Sequence, residues 1–257
     1  MRIQIILSIV IFLLCANLSG KTASANNFCV CKSDEETGVF QETLRKNEEN
    51  IVYIYSENKE GKFINAGTGF VYDKSGLIAT ARHVVDNPSA TSVKVVIKKN
   101  KQFIVKKAAW HFDDMDYDVS ILRIDYTFDS QVRLRTSELE SGEKLYSLGF
   151  PMTHPSSGAN ERKITRTYGR FFKYVFQKIS NELKKEEPKF DLMQVSTLPV
   201  APGYSGVPVF DKSGQAVGVV SLNMPISPFG TVFAWSVRIE RLVELAKKQN
   251  ILNTMFP

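Results

Sequence analysis

The stretch that decides the fold is Ala201-Pro202-Gly203-Tyr204-Ser205-Gly206-Val207-Pro208-Val209-Phe210. Glycines close to Ser205 let the backbone turn tightly, and the apolar run that follows is typical of a buried strand. A serine hydroxyl on such a turn can project outward while nearby N–H groups point at one spot. Acyl transfer requires this arrangement, because the nucleophile must lie beside donors for the developing oxyanion. The motif alone also fits an ordinary turn with an incidental serine.

A general base is the second requirement, and His83 is the best candidate for it. His83 closely follows the apolar run Leu77–Thr80, so its imidazole is expected at a strand end, where loops gather into sites. The other histidines, His111 and His154, lie in polar stretches and are predicted to be surface residues.

A carboxylate must fix the tautomer of that histidine and stabilise its charged form. Asp118 immediately precedes the apolar run Val119–Ile124, so its carboxylate can be buried at the mouth of a strand. The competing residues are Asp113, Asp114 and Asp116, and each is followed by residues predicted to face solvent. Asp118 is therefore predicted to orient His83.

Short apolar runs separated by turns continue along the chain and predict an all-β barrel or sandwich. A repeated Asp-Lys-Ser-Gly turn, at 73–76 and 211–214, is weak support for two similar barrels. The predicted strands are Ile51–Tyr55, Gly67–Tyr72, Leu77–Thr80, Val93–Ile97, Phe103–Val105, Val119–Ile124, Lys144–Phe150, Ile164–Arg170, Leu192–Val195, Val207–Phe210, Ala216–Leu222 and Thr231–Ser236.

Two segments depart from this β pattern. Phe171–Glu187 has apolar residues close to helical spacing and is followed by Pro188, which predicts an inserted helix or a long loop. Near the end of the chain, Ser236 can cap a helix. Its apolar face would hold Ile239, Leu242, Val243 and Ala246.

Residues 1–25 are predicted to be a secretory signal peptide. Arg2 gives a positive start, Ile3–Leu18 is mostly apolar, and Ala23-Ser24-Ala25 is a small-residue cleavage pattern. An uncleaved anchor is disfavoured because the apolar run is short for a membrane span. Lipidation at Cys15 is the other alternative, although no small residue precedes that cysteine as is usual. Residues 26–44 are predicted to be a polar, mobile lead-in.

Charge and cysteine content exclude several classes of protein. Loss of Arg2 and Lys21 with the leader lowers the formal charge from +6 to +4, which is too small and too dispersed for a nucleic-acid-binding stripe. Cys29 and Cys31 then remain and leave open a local disulfide, a pairing with another chain or a metal contact. They lack nearby histidines and make a poor zinc site, so no metal and no cofactor are expected.

Three windows of the sequence resemble the trypsin-like (chymotrypsin-fold) serine proteases, especially the bacterial HtrA/Deg-type branch. They are Thr80–Val85, Asp118–Leu122 and Gly203–Gly206, and they occur in that family's order of His, Asp and Ser. Gly67–Phe70 is similar to the glycine-rich strand before the histidine, and Leu148–Pro151 to a strand that opens the second barrel. The likeness spans about residues 51–246.

This resemblance implies a fold of two six-stranded antiparallel β-barrels with a C-terminal helix. The protease domain would span residues 45–250, with the first barrel at about 45–135, the second at about 140–236 and the helix at about 237–250. HtrA proteins usually carry a peptide-binding PDZ domain after the protease. This chain ends too early to hold one, so the trimeric assembly and regulation of that branch are not expected to carry over.

Departures from the family pattern lie on both sides of the serine. The family usually has Gly-Asp-Ser-Gly-Gly or Gly-Asn-Ser-Gly-Gly, whereas Tyr204 and Val207 stand at two of those positions here. In digestive members the acidic residue pairs with a freshly cut N-terminus, which Tyr204 cannot do. The enzyme is therefore predicted to need signal removal but no zymogen cleavage. Val84 replaces the half-cystine of animal members, which is consistent with a bacterial type.

The resemblance also implies the mechanism and the substrate class. Ser205 would attack a peptide or ester carbonyl, His83 would accept its proton, and the amides of Gly203 and Ser205 would hold the oxyanion. The specificity pocket would be walled by Leu198, Pro199 and Val200 and by Ser221, Leu222 and Asn223. No carboxylate lies at its base, so a small or medium apolar P1 side chain of a protein or peptide substrate is expected.

Two rival functions are weighed against this one. A catalytically weak or inactive protein of the same fold could act as a secreted binding or toxin-like module, but drift usually removes the serine or histidine first. An α/β-hydrolase esterase would need Gly-x-Ser-x-Gly and a histidine after the serine. Residue 207 is Val and no histidine follows Ser205, which excludes that reading.

Overall fold

The computed structural model describes residues 38–100, 102–114, 116–150, 164–178, 189–196, 203–223 and 233–249. Its first half is a closed barrel in the strand order β1-β2-β3-β6-β5-β4, with antiparallel neighbours throughout. The six strands are β1 (Ile51–Glu57), β2 (Phe63–Asp73), β3 (Leu77–Ala81), β4 (Ser92–Lys99), β5 (Gln102–Asp114) and β6 (Val119–Ile124).

Strand β1 is apolar on both faces because both faces are covered. Val52 and Ile54 belong to one apolar cluster, together with alternate residues of the other barrel strands. Ile51 and Tyr53 point the other way, into a cluster that also contains Phe150 of the second half. The rings of Tyr53 and Phe150 meet edge-on at 6.0 Å. Burial on both sides explains why Ile51–Tyr55 reads as a continuous apolar run instead of an alternating one.

The second half is a seven-stranded mixed sheet in the order β11-β8-β9-β10-β13-β12-β7, with a further pairing between β11 and β12. The prediction of two six-stranded antiparallel barrels is thus confirmed for the first half only. The difference arises from the two-residue strand β7, which pairs parallel to β12. The strands are β7 (Arg133–Leu134), β8 (Lys144–Gly149), β9 (Thr165–Lys178), β10 (Lys189–Ser196), β11 (Pro208–Asp211), β12 (Gln215–Asn223) and β13 (Phe233–Arg238).

The helical insertion predicted at Phe171–Glu187 is wrong over residues 171–178. These residues continue β9, which pairs with β10 from Arg170 to Lys178 and has a bulge opposite Gln194. Phe171 pairs with Val195 and Lys173 with Gln194, so the bulge lies between these two residues, of which Phe171 is buried and Lys173 is exposed. The aromatic side chains had matched helical spacing by coincidence, and residues 179–187 lie outside the described part of the chain.

Three helices complete the described structure: α1 (Gly38–Glu48), α2 (Arg82–Val85) and α3 (Ile239–Lys248). Helix α3 confirms the predicted C-terminal helix and buries Ile239, Leu242, Leu245 and Ala246. Its N-cap is Arg238, and no side-chain cap bond is present, so the expected cap at Ser236 is wrong. None of the helices in the described ranges is long and apolar enough to cross a membrane.

Helix α1 lies where the sequence predicts only a polar lead-in. Leu44 is fully buried in the large apolar cluster. The Asn47 side chain donates hydrogen bonds to the Tyr146 hydroxyl (3.0 Å) and to the Gly214 carbonyl (3.1 Å). Burial raises the pKa of the Tyr146 hydroxyl, so it stays neutral as a partner for the amide. The helix was missed because most of its residues are polar and its stability comes from these tertiary contacts.

Candidate active site

The imidazole of His83 and the carboxylate of Asp118 lie together at the edge of the first barrel. His83 Nδ1 is 2.8 Å from Asp118 Oδ2, and the His83 backbone N–H donates to Oδ1 at 2.9 Å. An ionised carboxylate only accepts hydrogen bonds, so the proton must reside on Nδ1 and leave Nε2 as a base. The imidazole is 41% exposed and the carboxylate 14%, so the ring is accessible to solvent while the carboxylate is largely covered.

The backbone conformation and hydrogen bonds around Asp118 hold its carboxylate next to His83. Asp118 directly precedes β6 in the left-handed region (φ 51°), which Asp tolerates better than most residues. Its carbonyl accepts the N–H of Arg82 at 3.0 Å, so α2 and the start of β6 are joined by backbone as well as side-chain bonds. The side-chain amide of Asn65 donates to the His83 carbonyl at 2.9 Å and fixes the other side of α2.

Ser221 supports the same carboxylate. It was predicted to line the specificity pocket, and the structure buries it on β12 with its hydroxyl donating to Asp118 Oδ2. The imidazole and the Ser221 hydroxyl therefore both donate hydrogen bonds to this oxygen, and together they stabilise its negative charge. Ser221 and Asp118 are 103 positions apart in the sequence, and no sequence pattern indicates this bond.

The loop that carries Ser205 is a tight turn. The Val207 N–H donates to the Tyr204 carbonyl at 3.1 Å, and Gly206, third in the turn, has a φ of 84°. A positive φ at that position is the requirement of a type II turn. Gly203 also has a positive φ, of 93°. Glycines therefore flank the serine where other residues would be strained, as expected from the sequence.

This turn is seated on the strands that lead to His83. The Thr68 N–H in β2 donates to the Ser205 carbonyl at 2.9 Å. A Cβ added to Gly206 would sit well inside van der Waals distance of the Thr68 carbonyl and the Thr80 hydroxyl at the end of β3. Ser205 is thus held beside the strand end from which α2 and His83 emerge, and it is partly exposed.

Not every candidate residue is joined to the others. In the described part of the chain no hydrogen bond links the Ser205 hydroxyl to His83, a contact that in ligand-free enzymes often forms only with substrate. Gly203 lies in the serine loop as predicted. Leu198, Pro199 and Val200 fall outside the described residues. Leu222 and Asn223 lie on β12, next to Ser221, and only their backbone is described.

A family model described as a trypsin-like peptidase domain matches residues 67–219. The chain belongs to that family. His83, Asp118 and Ser205 all lie inside the matched stretch. The mitochondrial serine proteases HTRA2 of Drosophila erecta and Drosophila ananassae are each 30% identical over 197 residues, which is 74% of this chain. The chain spans 43% and 42% of the length of these two relatives.

Solved structures of peptidases share the fold. The active form of the Rv3671c protease from M. tuberculosis aligns with a TM-score of 0.65 and 19% identity, over 83% of this chain and 86% of that one. Deg5 aligns with a TM-score of 0.63 and 22% identity, over 83% and 94%. Together with the family match and the HTRA2 relatives, these structures confirm the resemblance to HtrA/Deg proteases. The chain is a homologue of trypsin-like serine peptidases, which are hydrolases.

Tyr204 stands where other trypsin-like peptidases have Asp or Asn before the serine. Its side chain is 2% exposed and packs in the apolar cluster with Phe171 and Met193. Burial raises the pKa of its hydroxyl to about 12, and a hydrogen bond with the Thr165 side chain offsets part of that rise. The residue is therefore neutral near pH 7, and apolar packing anchors this side of the serine loop.

Replacement of Gly206 by alanine should destabilise the peptidase domain strongly. Left-handed backbone alone costs a non-glycine residue about 1–2 kcal/mol, and overpacking adds about 1–3 kcal/mol. Gly142 is a matched control, because its φ is 85° and an added Cβ would meet nothing within 4 Å. Chemical denaturation should therefore show a larger loss of unfolding free energy for Gly206→Ala than for Gly142→Ala. Equal losses would mean that the close packing of the turn on β2 and β3 is unimportant.

Proposed function

We propose that this protein is a serine endopeptidase that hydrolyses peptide bonds through His83, Asp118 and Ser205. The observation that carries the proposal is the hydrogen bond between His83 Nδ1 and Asp118 Oδ2, with Ser221 supporting the same carboxylate. It leaves Nε2 unprotonated. The proposal is further supported by the position of the serine loop, whose Ser205 carbonyl accepts the Thr68 N–H and whose Gly206 packs closely on Thr68 and Thr80.

The chemistry follows in two halves. His83 Nε2 accepts the Ser205 proton as Oγ bonds to the scissile carbonyl carbon, and Asp118 stabilises the imidazolium that forms. The amides of Gly203 and Ser205 donate to the oxyanion of the tetrahedral intermediate. The imidazolium then protonates the leaving amine as the C–N bond breaks, and water hydrolyses the acyl-enzyme by the same steps.

The hydrogen bonds around Gly203 and Ser205 support the role proposed for their amides. Within the described residues, neither the Gly203 N–H nor the Ser205 N–H donates to a backbone carbonyl. Their carbonyls, in contrast, are both hydrogen-bonded to Thr68. The peptide groups that follow Gly203 and Ser205 are therefore tethered to Thr68, and each adjoins a peptide group that carries a proposed donor N–H.

Substrate preference and location are further parts of the proposal. A small or medium apolar P1 residue is favoured because Leu198, Pro199 and Val200 supply no carboxylate to the pocket. Export to the periplasm or the exterior, with cleavage after Ala25, is favoured by the basic start, apolar run and small-residue site of residues 1–25. The N-terminal sequence of the protein isolated from its host would test the cleavage site.

Labelling with a fluorophosphonate probe tests the proposed activity. The probe should bond to Ser205 in the folded protein, as located by peptide mass spectrometry, and labelling should be absent from Ser205→Ala. Cleavage of a peptide library should then occur after small or apolar residues. Folded protein that neither reacts nor cleaves would favour a binding module on the same fold, and cleavage confined to Lys or Arg would contradict the proposed pocket.

A further inference from the structure

Thr68 makes hydrogen bonds to both residues of the proposed oxyanion hole, although it belongs to the opposite half of the molecule. Its hydroxyl donates to the Gly203 carbonyl at 3.0 Å, and its backbone N–H donates to the Ser205 carbonyl at 2.9 Å. The side chain is completely buried in β2, in the first barrel. One residue thus reaches the carbonyl groups of both proposed donors.

The remaining polar groups of Thr68 are also used, and they fix its orientation. Its hydroxyl oxygen accepts the N–H of Phe150 at the end of β8, at 3.0 Å. Its carbonyl accepts the Thr80 hydroxyl at 2.8 Å. Because a hydroxyl has one proton, the bond from Phe150 leaves that proton for Gly203. The direction of the Thr68–Gly203 bond is therefore set by the end of β8.

The serine loop needs an external restraint of this kind. Gly203 and Gly206 both have a positive φ, and glycine has no side chain to oppose a rotation of the adjoining peptide groups. A rotation would turn an N–H away from the position that the oxyanion occupies. Donors of an oxyanion hole act through their fixed orientation, so a tether on the peptide groups next to them has catalytic consequences.

We propose that Thr68 is a positioning residue for the oxyanion hole. Its hydroxyl holds the Gly203–Tyr204 peptide group, which lies between the two peptide groups that carry the donor N–H groups, in the orientation that catalysis requires. Without this hydroxyl the carbonyl of Gly203 and the N–H of Phe150 would both be buried and unpaired. The Gly203–Tyr204 peptide group would then turn towards another partner and shift the donor peptide groups on either side of it. This inference rests on the proposed peptidase activity, since Thr68 touches no substrate and acts only through the loop.

The test compares Thr68→Val, which keeps the shape and removes the hydroxyl, with Thr68→Ser, which keeps the hydroxyl. Loss of one oxyanion donor typically lowers kcat by about 100- to 1000-fold. Thr68→Val removes no donor and only loosens the loop that carries the donors, so its effect should be smaller. We expect kcat to fall by about 10- to 100-fold, with little change in KM. Thr68→Ser should stay within about threefold of the unaltered enzyme. Affinity for a peptide boronate, which mimics the tetrahedral state, should fall in parallel with kcat/KM.

Thr167→Val is the matched control, because Thr167 is buried on β9 and its hydroxyl bonds to Ser147 on β8, not to the serine loop. It should lower the melting temperature without lowering kcat. Thr68→Ala serves as a second variant without the hydroxyl. If a folded variant without the hydroxyl kept a kcat within threefold of the unaltered enzyme, the proposed peptidase activity would stand, while the role of Thr68 would be overturned. Failure of both to fold would also overturn it, in favour of a purely structural role, and an inactive parent enzyme would overturn both proposals.

Discussion

Ser205→Ala is expected to lower kcat by about 10⁴- to 10⁶-fold, as loss of the nucleophile does in other serine proteases. His83 and Asp118 would remain in place, but no oxygen would be left to form the acyl-enzyme. Residual turnover should reflect substrate binding and the oxyanion hole alone. Rates on a peptide chosen from the library, measured with saturating substrate, would give the loss directly.

The fold should tolerate this change, because the alanine side chain is smaller and the Ser205 carbonyl keeps its bond from Thr68. Ser89→Ala is a suitable control, since Ser89 lies exposed in the loop after α2. It should leave kcat and the melting temperature unchanged. More than about one-hundredth of the parent kcat in purified Ser205→Ala would show that another residue is the nucleophile.

Asp118→Asn is expected to lower kcat by about 10⁴-fold near neutral pH, with a smaller change in KM. Three hydrogen-bond donors face the carboxylate: the His83 backbone N–H, the imidazole and the Ser221 hydroxyl. The asparagine side chain would have an NH₂ group in place of one carboxylate oxygen, so it would donate where that oxygen accepts. If the N–H meets Nδ1, the imidazole must accept there and carry its proton on Nε2, which removes the base.

Asp86→Asn provides the comparison, because Asp86 is an exposed carboxylate at the end of α2 that pairs with Arg82. It should change kcat by less than about twofold, as exposed ion pairs contribute little. Burst titration with an ester substrate would count the competent molecules, so that misfolding is separated from a slower reaction. A loss below tenfold for Asp118→Asn would mean that the bond to His83 is not used in catalysis.

Much of the first barrel could be read from the sequence because its strands are locally consistent. Val119–Ile124 matches β6 residue for residue, and Leu77–Thr80 matches β3 within one residue. His83 and Asp118 were identifiable since each adjoins the end of such a strand, and sheet pairing between β3 and β6 brings the two ends together. Local pattern therefore indicated a long-range contact here.

Features that depend on tertiary contacts could not be predicted in this way. Helix α1 depends on Leu44 and Asn47 meeting a distant surface, and strand β7 exists only through its pairing with β12. The spacing of the aromatic residues after Arg170 is compatible with a helix or a strand, and these residues form a strand because they pair with β10. The bonds of Ser221 and Thr68 join segments 103 and 135 residues apart.

The position of β1 has a practical consequence for producing the protein. The matched peptidase stretch begins at residue 67, yet β1 precedes it and closes the barrel between β2 and β4. A protein trimmed to that stretch would lack β1. The edges of β2 and β4 would then carry unpaired backbone groups, which promote association with other chains. Expression boundaries are better set ahead of Gly38 and beyond Lys248, so that both termini retain their helices.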